Sequence, residues 1–307
     1  LGTQTGGSTI RPASYCGVCA LKPTWGRVSV DGVLPLAPSL DHIGVMANCV
    51  RDLAIVFEVI AGDDRRDSSC STRPVSDCLR RIDQAVVPPE NDEELEKLMR
   101  PGACVPTGFF EPVVSSEVLQ FFEQRVRDFG PLSQLEAFVR RITLPPGFAD
   151  IHRLHRVMMS VEAAQVHAAR MTRHPDDYPP RIRELIEDGL RATAVEYREA
   201  RLFRDNQDDD CANLFWPEPL LMPATADLPP TSETTGNPWC NSPWSFLGVP
   251  AVSLPLGWSE DGLPMAIQYV GASWHEEGLL AMAARVERVF AEQTSVFPRR
   301  LPPVPVV

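Results

Sequence analysis

The richest chemistry in this sequence lies at its start, in Gly2-Thr-Gln-Thr-Gly-Gly-Ser-Thr-Ile-Arg-Pro. Gly6 and Gly7 remove two side chains just before Ser8. That permits unusual backbone angles and lets a ligand approach main-chain N–H groups closely. Acyl transfer needs such a cradle, because its tetrahedral intermediate places negative charge on the former carbonyl oxygen, and losing one donor typically costs about 10²–10³ in rate. A serine beside the cradle can serve as nucleophile and donor at once. The plainer alternative is a Gly-rich turn that contains a serine, and composition alone favours it. No Gly-Lys-Ser/Thr follows, so the run is not a Walker loop, and its spacing is not a dinucleotide fingerprint.

Other residue types invite weighing. Cys16 and Cys19 have redox or zinc spacing, but no second pair matches them, so buried thiols are expected and metal is not. His152 and His155 share a helix face; without a third ligand they read as solvated or capping histidines. Arg11, three residues after Ser8, could hold a substrate carboxylate or anchor its own loop. Trp239, Trp244 and Phe246, with Asn241, could wall a small-ligand pocket or fill the core. Asp41 could be an acid or base by type.

These residues must be held by elements that the sequence outlines. Residues 1–48 are rich in Gly, Ser, Thr and Pro, which gives loops and short strands. Val50, Leu53, Ala54, Phe57 and Ile60 form an apolar stripe that predicts a helix over 49–61, stopped by Gly62. Residues 63–100 lose that periodicity and read as a surface insertion, with a short helix at 92–99. A strand at 103–106, a helix at 117–129 closed by Gly130-Pro131, and a strand at 137–144 make a βαβ-like unit. Helices are expected near 150–171 and 180–204, with an acidic loop at 205–210. Leu154, Val157, Met158, Val161 and Ala164 mark the buried face of the first. Strands follow at 252–256 and 264–270, then a helix at 276–291 and an extended Pro-rich tail at 298–305.

The chain of 307 residues is long enough for a large core. Its net charge of -12 argues against nucleic acid as the default partner. Eight scattered cysteines suggest reduced thiols and a cytoplasmic setting. No signal peptide or membrane-length apolar run is visible. The first residue is Leu1, not Met, and the chain opens in mid-motif, so it reads as a processed, truncated or partial chain.

Past Ser8 the sequence resembles the amidase signature family. The resemblance runs through Thr5-Gly-Gly-Ser-Thr-Ile-Arg-Pro-Ala-Ser-Tyr-Cys-Gly-Val, Leu21-Lys-Pro-Thr-Trp-Gly-Arg-Val-Ser and Pro35-Leu-Ala-Pro-Ser-Leu-Asp-His-Ile-Gly. It resumes in Thr235-Gly-Asn-Pro, Asn241-Ser-Pro-Trp, Leu247-Gly-Val-Pro-Ala-Val-Ser-Leu-Pro-Leu-Gly and Gly262-Leu-Pro-Met-Ala-Ile-Gln-Tyr-Val-Gly. It implies a single α/β domain over 1–307, an α/β/α fold around a central twisted mixed β-sheet whose N-terminal part is missing. It also implies a Ser–cis-Ser–Lys triad, with Ser8 as nucleophile and the backbone at Thr5, Gly6, Gly7 and Ser8 as oxyanion hole. Arg11, Asn241 and Trp244 become candidate substrate contacts, and Asp41 a carboxylate that organises the loop. The relay serine and the lysine precede position 1 in the family's order, and Lys22 matches a different lysine. The expected function is hydrolysis of a small carboxamide through an acyl-enzyme, without cofactor, with this chain alone inactive. The alternatives are the amidase-like subunit of a tRNA-dependent amidotransferase, which would require partner subunits, and a non-catalytic remnant. A small-molecule amide is the expected partner; a homodimer is compatible with the sequence, and nucleic acid is not expected outside the amidotransferase reading.

Overall fold

Sheet and helices are described from a computed structural model, which defines residues 1–87, 102–133, 139–214 and 218–293. Among them, eight strands form one mixed sheet in the order β1-β3-β2-β7-β8-β6-β4-β5. The strands are β1 (Gly2–Gln4), β2 (Cys19–Lys22), β3 (His42–Ala47), β4 (Ala103–Pro106), β5 (Val139–Ile142), β6 (Leu220–Pro223), β7 (Ala251–Trp258) and β8 (Pro264–Val270). β4 runs parallel to β5 and β6, and the remaining pairings are antiparallel. β3 is shared: its first half pairs with β1 and its second with β2. This places the Gly-rich loop after β1 at one edge of the sheet, beside the loop that enters β3.

The central strands β2, β4 and β6 are buried at every position. They therefore read as short apolar runs rather than alternating ones, as expected when helices cover both faces. α1 (Ile10–Tyr15) packs on β2, β7 and β8, while α2 (Val50–Ile60) and α9 (Glu276–Gln293) add further cover. α2 buries Val50, Leu53, Ala54 and Phe57, the stripe expected from sequence; each large apolar side chain so buried contributes about 1.5–3 kcal/mol. The β4–β5 unit is connected by α4 (Ser116–Ser133), which continues past Gly130-Pro131 instead of ending there. Those two residues lower helix propensity near an end without forbidding a last turn.

The segment expected as a surface insertion contains α3 (Cys78–Ala85), which buries Cys78 and Ile82 and packs against α2 and α9. The short helix expected at 92–99 and the tail at 298–305 lie outside the described residues. The helical region at 150–204 is organised differently from expectation. α5 spans Ile151–Arg173, α6 Pro180–Arg191 and α7 Ala194–Leu214, so the second expected helix is two, and the expected acidic loop at 205–210 is helical. The restart has a local cause: Thr193 Oγ1 accepts from Glu196 N, while Glu196 Oε2 accepts from Thr193 N at 2.8 Å. This reciprocal capping box satisfies orphan donors at a helix start. The short helix α8 (Ser242–Phe246) carries the second motif segment into the core. Among the described residues, no helix is long and apolar enough to cross a membrane.

Candidate active site

Ser8 sits two residues before α1, with its side chain exposed. Gln4, almost wholly buried, closes the loop behind it. Its Oε1 accepts from Thr9 N and Ile10 N, both at 3.0 Å, and its Nε2 donates to Ser245 Oγ at 2.9 Å. Ser245 Oγ donates in turn to the Gly6 carbonyl at 2.9 Å. One buried amide thus ties the start of α1 to the loop and to α8.

Three consecutive carbonyls of the loop are held. The Thr5 carbonyl receives His155 Nε2 at 2.9 Å, the Gly6 carbonyl receives Ser245 Oγ, and the Gly7 carbonyl receives Arg11 N at 3.0 Å. In a trans peptide the C=O and the N–H of one unit point in opposite directions. Fixing these oxygens therefore fixes the N–H groups of Gly6, Gly7 and Ser8 on the other side. Among the described residues, none of those three N–H groups finds an acceptor. Grouped N–H donors beside an exposed serine hydroxyl can receive a carbonyl oxygen that gains negative charge. Gly7 has a second requirement: a Cβ there would lie 2.8 Å from Asn241 Oδ1, so Asn241 and the loop backbone are in close contact.

The loop that enters β3 braces this arrangement. Asp41 Oδ1 accepts from Thr5 Oγ1 at 2.5 Å, and Oδ2 accepts from Leu36 N and Ala37 N at 2.8 and 3.0 Å. Burial pushes the Asp41 carboxyl up, and these three hydrogen bonds pull it back. Glu162 of α5 holds the same loop through Ser39 N at 2.9 Å and Ser39 Oγ at 2.5 Å, and His167 Nε2 meets the Pro35 carbonyl at 2.8 Å.

α5 therefore presents a polar inner face. His155, Glu162 and His167 are all buried among its apolar positions. The expectation that His155 is a solvated or capping histidine is overturned, because it is 5 % exposed. Burial holds its imidazole down to about 4, with Thr5 opposing and Arg156 adding to the effect. A neutral ring facing a carbonyl must carry its proton on Nε2. His152 is held down to about 3 by burial and by His155, and its Nδ1 meets Ser242 Oγ at 3.1 Å. The sequence did contain a signal for these residues: His155 and Glu162 lie two helical turns apart, on the apolar stripe rather than opposite it.

The other sequence candidates separate by burial. Arg11 directs its guanidinium to the Gly236 carbonyl at 3.0 Å and to Thr235 Oγ1 at 3.2 Å, so it anchors the 235–236 loop to α1. Asn241 is buried, and its Nδ2 donates to the Ala224 carbonyl at 3.0 Å. Trp244 and Phe246 lie wholly inside the core, and Trp244 Nε1 donates to the Cys240 carbonyl. Trp239 keeps partial exposure and contacts the rings of Phe109 and His152. Lys22 is fully buried, donates to the carbonyls of Val249 and Pro23, and is pushed down by burial to about 7. Cys16 is exposed and Cys19 buried, so the pair does not share an environment. No group of three His, Cys, Asp or Glu residues among the described ones gathers as a metal site.

Taken together, a mixed α/β sheet and a Gly-rich loop that turns free N–H groups toward an exposed serine define a protein built to grip a polarised oxygen. The chain belongs to the amidase family: the family model named Amidase matches residues 1–280. Similar curated proteins include a Mycobacterium tuberculosis protein that bears the name amidase AmiD, 32% identical over 99% of this chain and 62% of its own length. Another is the amidase-like component of the glutamyl-tRNA(Gln) amidotransferase of Rubrobacter xylanophilus, 31% identical over 99% of this chain and 65% of its own length. The chain thus spans a little under two thirds of these relatives. A crystal structure of an amidase superposes with a TM-score of 0.75 at 29% identity, covering 94% of this chain and 62% of that one. The corresponding glutamyl-tRNA(Gln) amidotransferase component of Thermotoga maritima gives 0.72 at 25% identity, over 94% of this chain and 61% of that one.

Proposed function

We propose that this chain carries the nucleophile and the carbonyl-binding half of an enzyme that hydrolyses small carboxamides. Ser8 Oγ attacks the amide carbon, the C–N bond breaks, and the serine proton passes to the departing amine; water then cleaves the ester to acid and free serine. The N–H groups of Gly6, Gly7 and Ser8 hold the oxygen as it becomes negative. That outward set of donors beside Ser8 is the observation that carries the reading. Phe109, Trp239 and the neutral His152 gather next to Pro238, which approaches Gly6, and they suit an apolar acyl group. Arg11 acts here through the 235–236 loop, and Asn241 through its contact with Gly7.

Proton transfer needs a base and a relay. The resemblance implies a lysine and a cis-serine, and no matching positions occur in this sequence. The chain has two lysines. Lys22 is tied to core carbonyls, and Lys97 lies outside the described residues. The activity is therefore assigned to a protein in which those residues accompany this chain, and the 307 residues alone are expected to be inert. In the complete gene product, Ser8→Ala should abolish release of amine from a small aryl or alkyl carboxamide while leaving the unfolding midpoint in place. Unchanged turnover would sink the assignment. A second reading, a component of a tRNA-dependent amidotransferase, is supported by the 31% identity to the Rubrobacter protein. Glutaminase activity that requires added partner subunits would select it.

A further inference from the structure

We infer that His155 and Ser245 are positioning residues that aim the Gly6 and Gly7 N–H groups by holding the carbonyls of the preceding peptide units. The Thr5 oxygen and the Gly6 N–H belong to one planar unit, as do the Gly6 oxygen and the Gly7 N–H. His155 Nε2 grips the first oxygen at 2.9 Å and Ser245 Oγ grips the second at 2.9 Å. The two donors come from separate helices, α5 and α8, so the loop is clamped from both sides against rotation of either peptide.

Glycine is the residue type least able to hold its own backbone angles, so the Gly6-Gly7 pair needs such a clamp most. Both donors are themselves fixed. Ser245 receives Gln4 Nε2 and is wholly buried; His155 is buried against Phe246 and stays neutral near pH 7, which keeps the proton on Nε2. The third unit is held differently, by Arg11 N from the first turn of α1. The two side chains therefore have assignable and separate targets: His155 controls Gly6, and Ser245 controls Gly7.

The catalytic arm of this inference rests on Ser8 being the nucleophile, and its structural arm does not. The test uses the complete gene product labelled with ¹⁵N-glycine. His155→Phe should move the Gly6 amide resonance, Ser245→Ala should move that of Gly7, and His155→Gln, whose amide nitrogen can reach the Thr5 oxygen, should restore Gly6. Turnover should follow: His155→Phe lowers kcat by about 10²-fold with KM nearly unchanged, the scale of a small misplacement in a reacting site, and His155→Gln recovers most of it. An unmoved Gly6 resonance in His155→Phe, or equal kcat losses in the Phe and Gln variants, would overturn the proposal. If His155→Phe does not fold, Ser245→Ala, which removes a single oxygen, decides the matter at Gly7. An active Ser8→Ala variant would defeat the amide-hydrolysis reading while the glycine resonances still decide the clamp.

Discussion

Asp41 collects three donors on one carboxylate, two from the backbone of its own loop and one from Thr5. Removing the carboxylate strands the Leu36 and Ala37 N–H groups near a buried surface, and an unpaired buried donor costs about 1–3 kcal/mol. Asp41→Ala is therefore expected to lower unfolding free energy by about 2–4 kcal/mol, read from urea denaturation. Asp41→Asn keeps one oxygen for the two backbone donors and should cost less than half of that. Equal losses in the two variants would show that the side chain is not a hydrogen-bond hub. Asp41 was legible as a loop organiser from its place in the motif. His155 was not, because its partner is a backbone carbonyl 150 residues away, and a carbonyl leaves no mark in a sequence.

At the scale of elements, α5 links the two loops of the site, and its own placement depends on α6. Gly189 of α6 packs so closely on α5 that a Cβ there would lie 1.9 Å from the Ser160 carbonyl and 2.9 Å from Ala164 Cβ. On an exposed helix, Gly→Ala stabilises by roughly 1 kcal/mol. Here overpacking must win, because the obstructing atom is backbone and cannot rotate away. Gly189→Ala is expected to destabilise by about 1–3 kcal/mol, visible as a lowered Tm. A raised Tm would mean that the two helices can separate at no cost. The strands and α2 were readable from apolar runs and the stripe at Val50, Leu53, Ala54 and Phe57. The break between α6 and α7 was also written in the chain, as Thr193 followed three residues later by Glu196. What the pattern could not give is the inward face of α5, where Glu162 and His167 look polar in sequence yet are buried by the loop they hold.

The whole molecule buries an unusual set of titratable groups, and they set where in pH it is most stable. Burial holds His42 well below its ordinary value of 6.5, His155 at about 4 and His152 at about 3. Below pH 6.5 the unfolded chain takes up these protons and the folded one does not, so stability falls as pH falls. Each buried histidine contributes a loss of up to about 2 kcal/mol between pH 6.5 and 5. Asp41, raised by burial, acts with the opposite sign above 3.8, but it is one group against three. Lys22, lowered from 10.5 to about 7, adds stability as pH rises across that window. Above pH 9 the cysteines reverse the trend. Burial raises Cys78 and Cys240 to about 12 and Cys104 to about 11, and Cys19 is also raised, so the unfolded chain loses thiol protons that the fold retains. Four thiols outweigh one lysine. Urea denaturation across pH should therefore show a maximum between about 7 and 9, with a steep loss toward pH 5. His155→Gln should flatten the acid limb by close to one proton, because the unfolded variant has one fewer histidine to charge. A stability that stays level from pH 7 to 5 would mean that these imidazoles are protonated in the folded protein, and that His155 does not stand neutral against the Thr5 carbonyl.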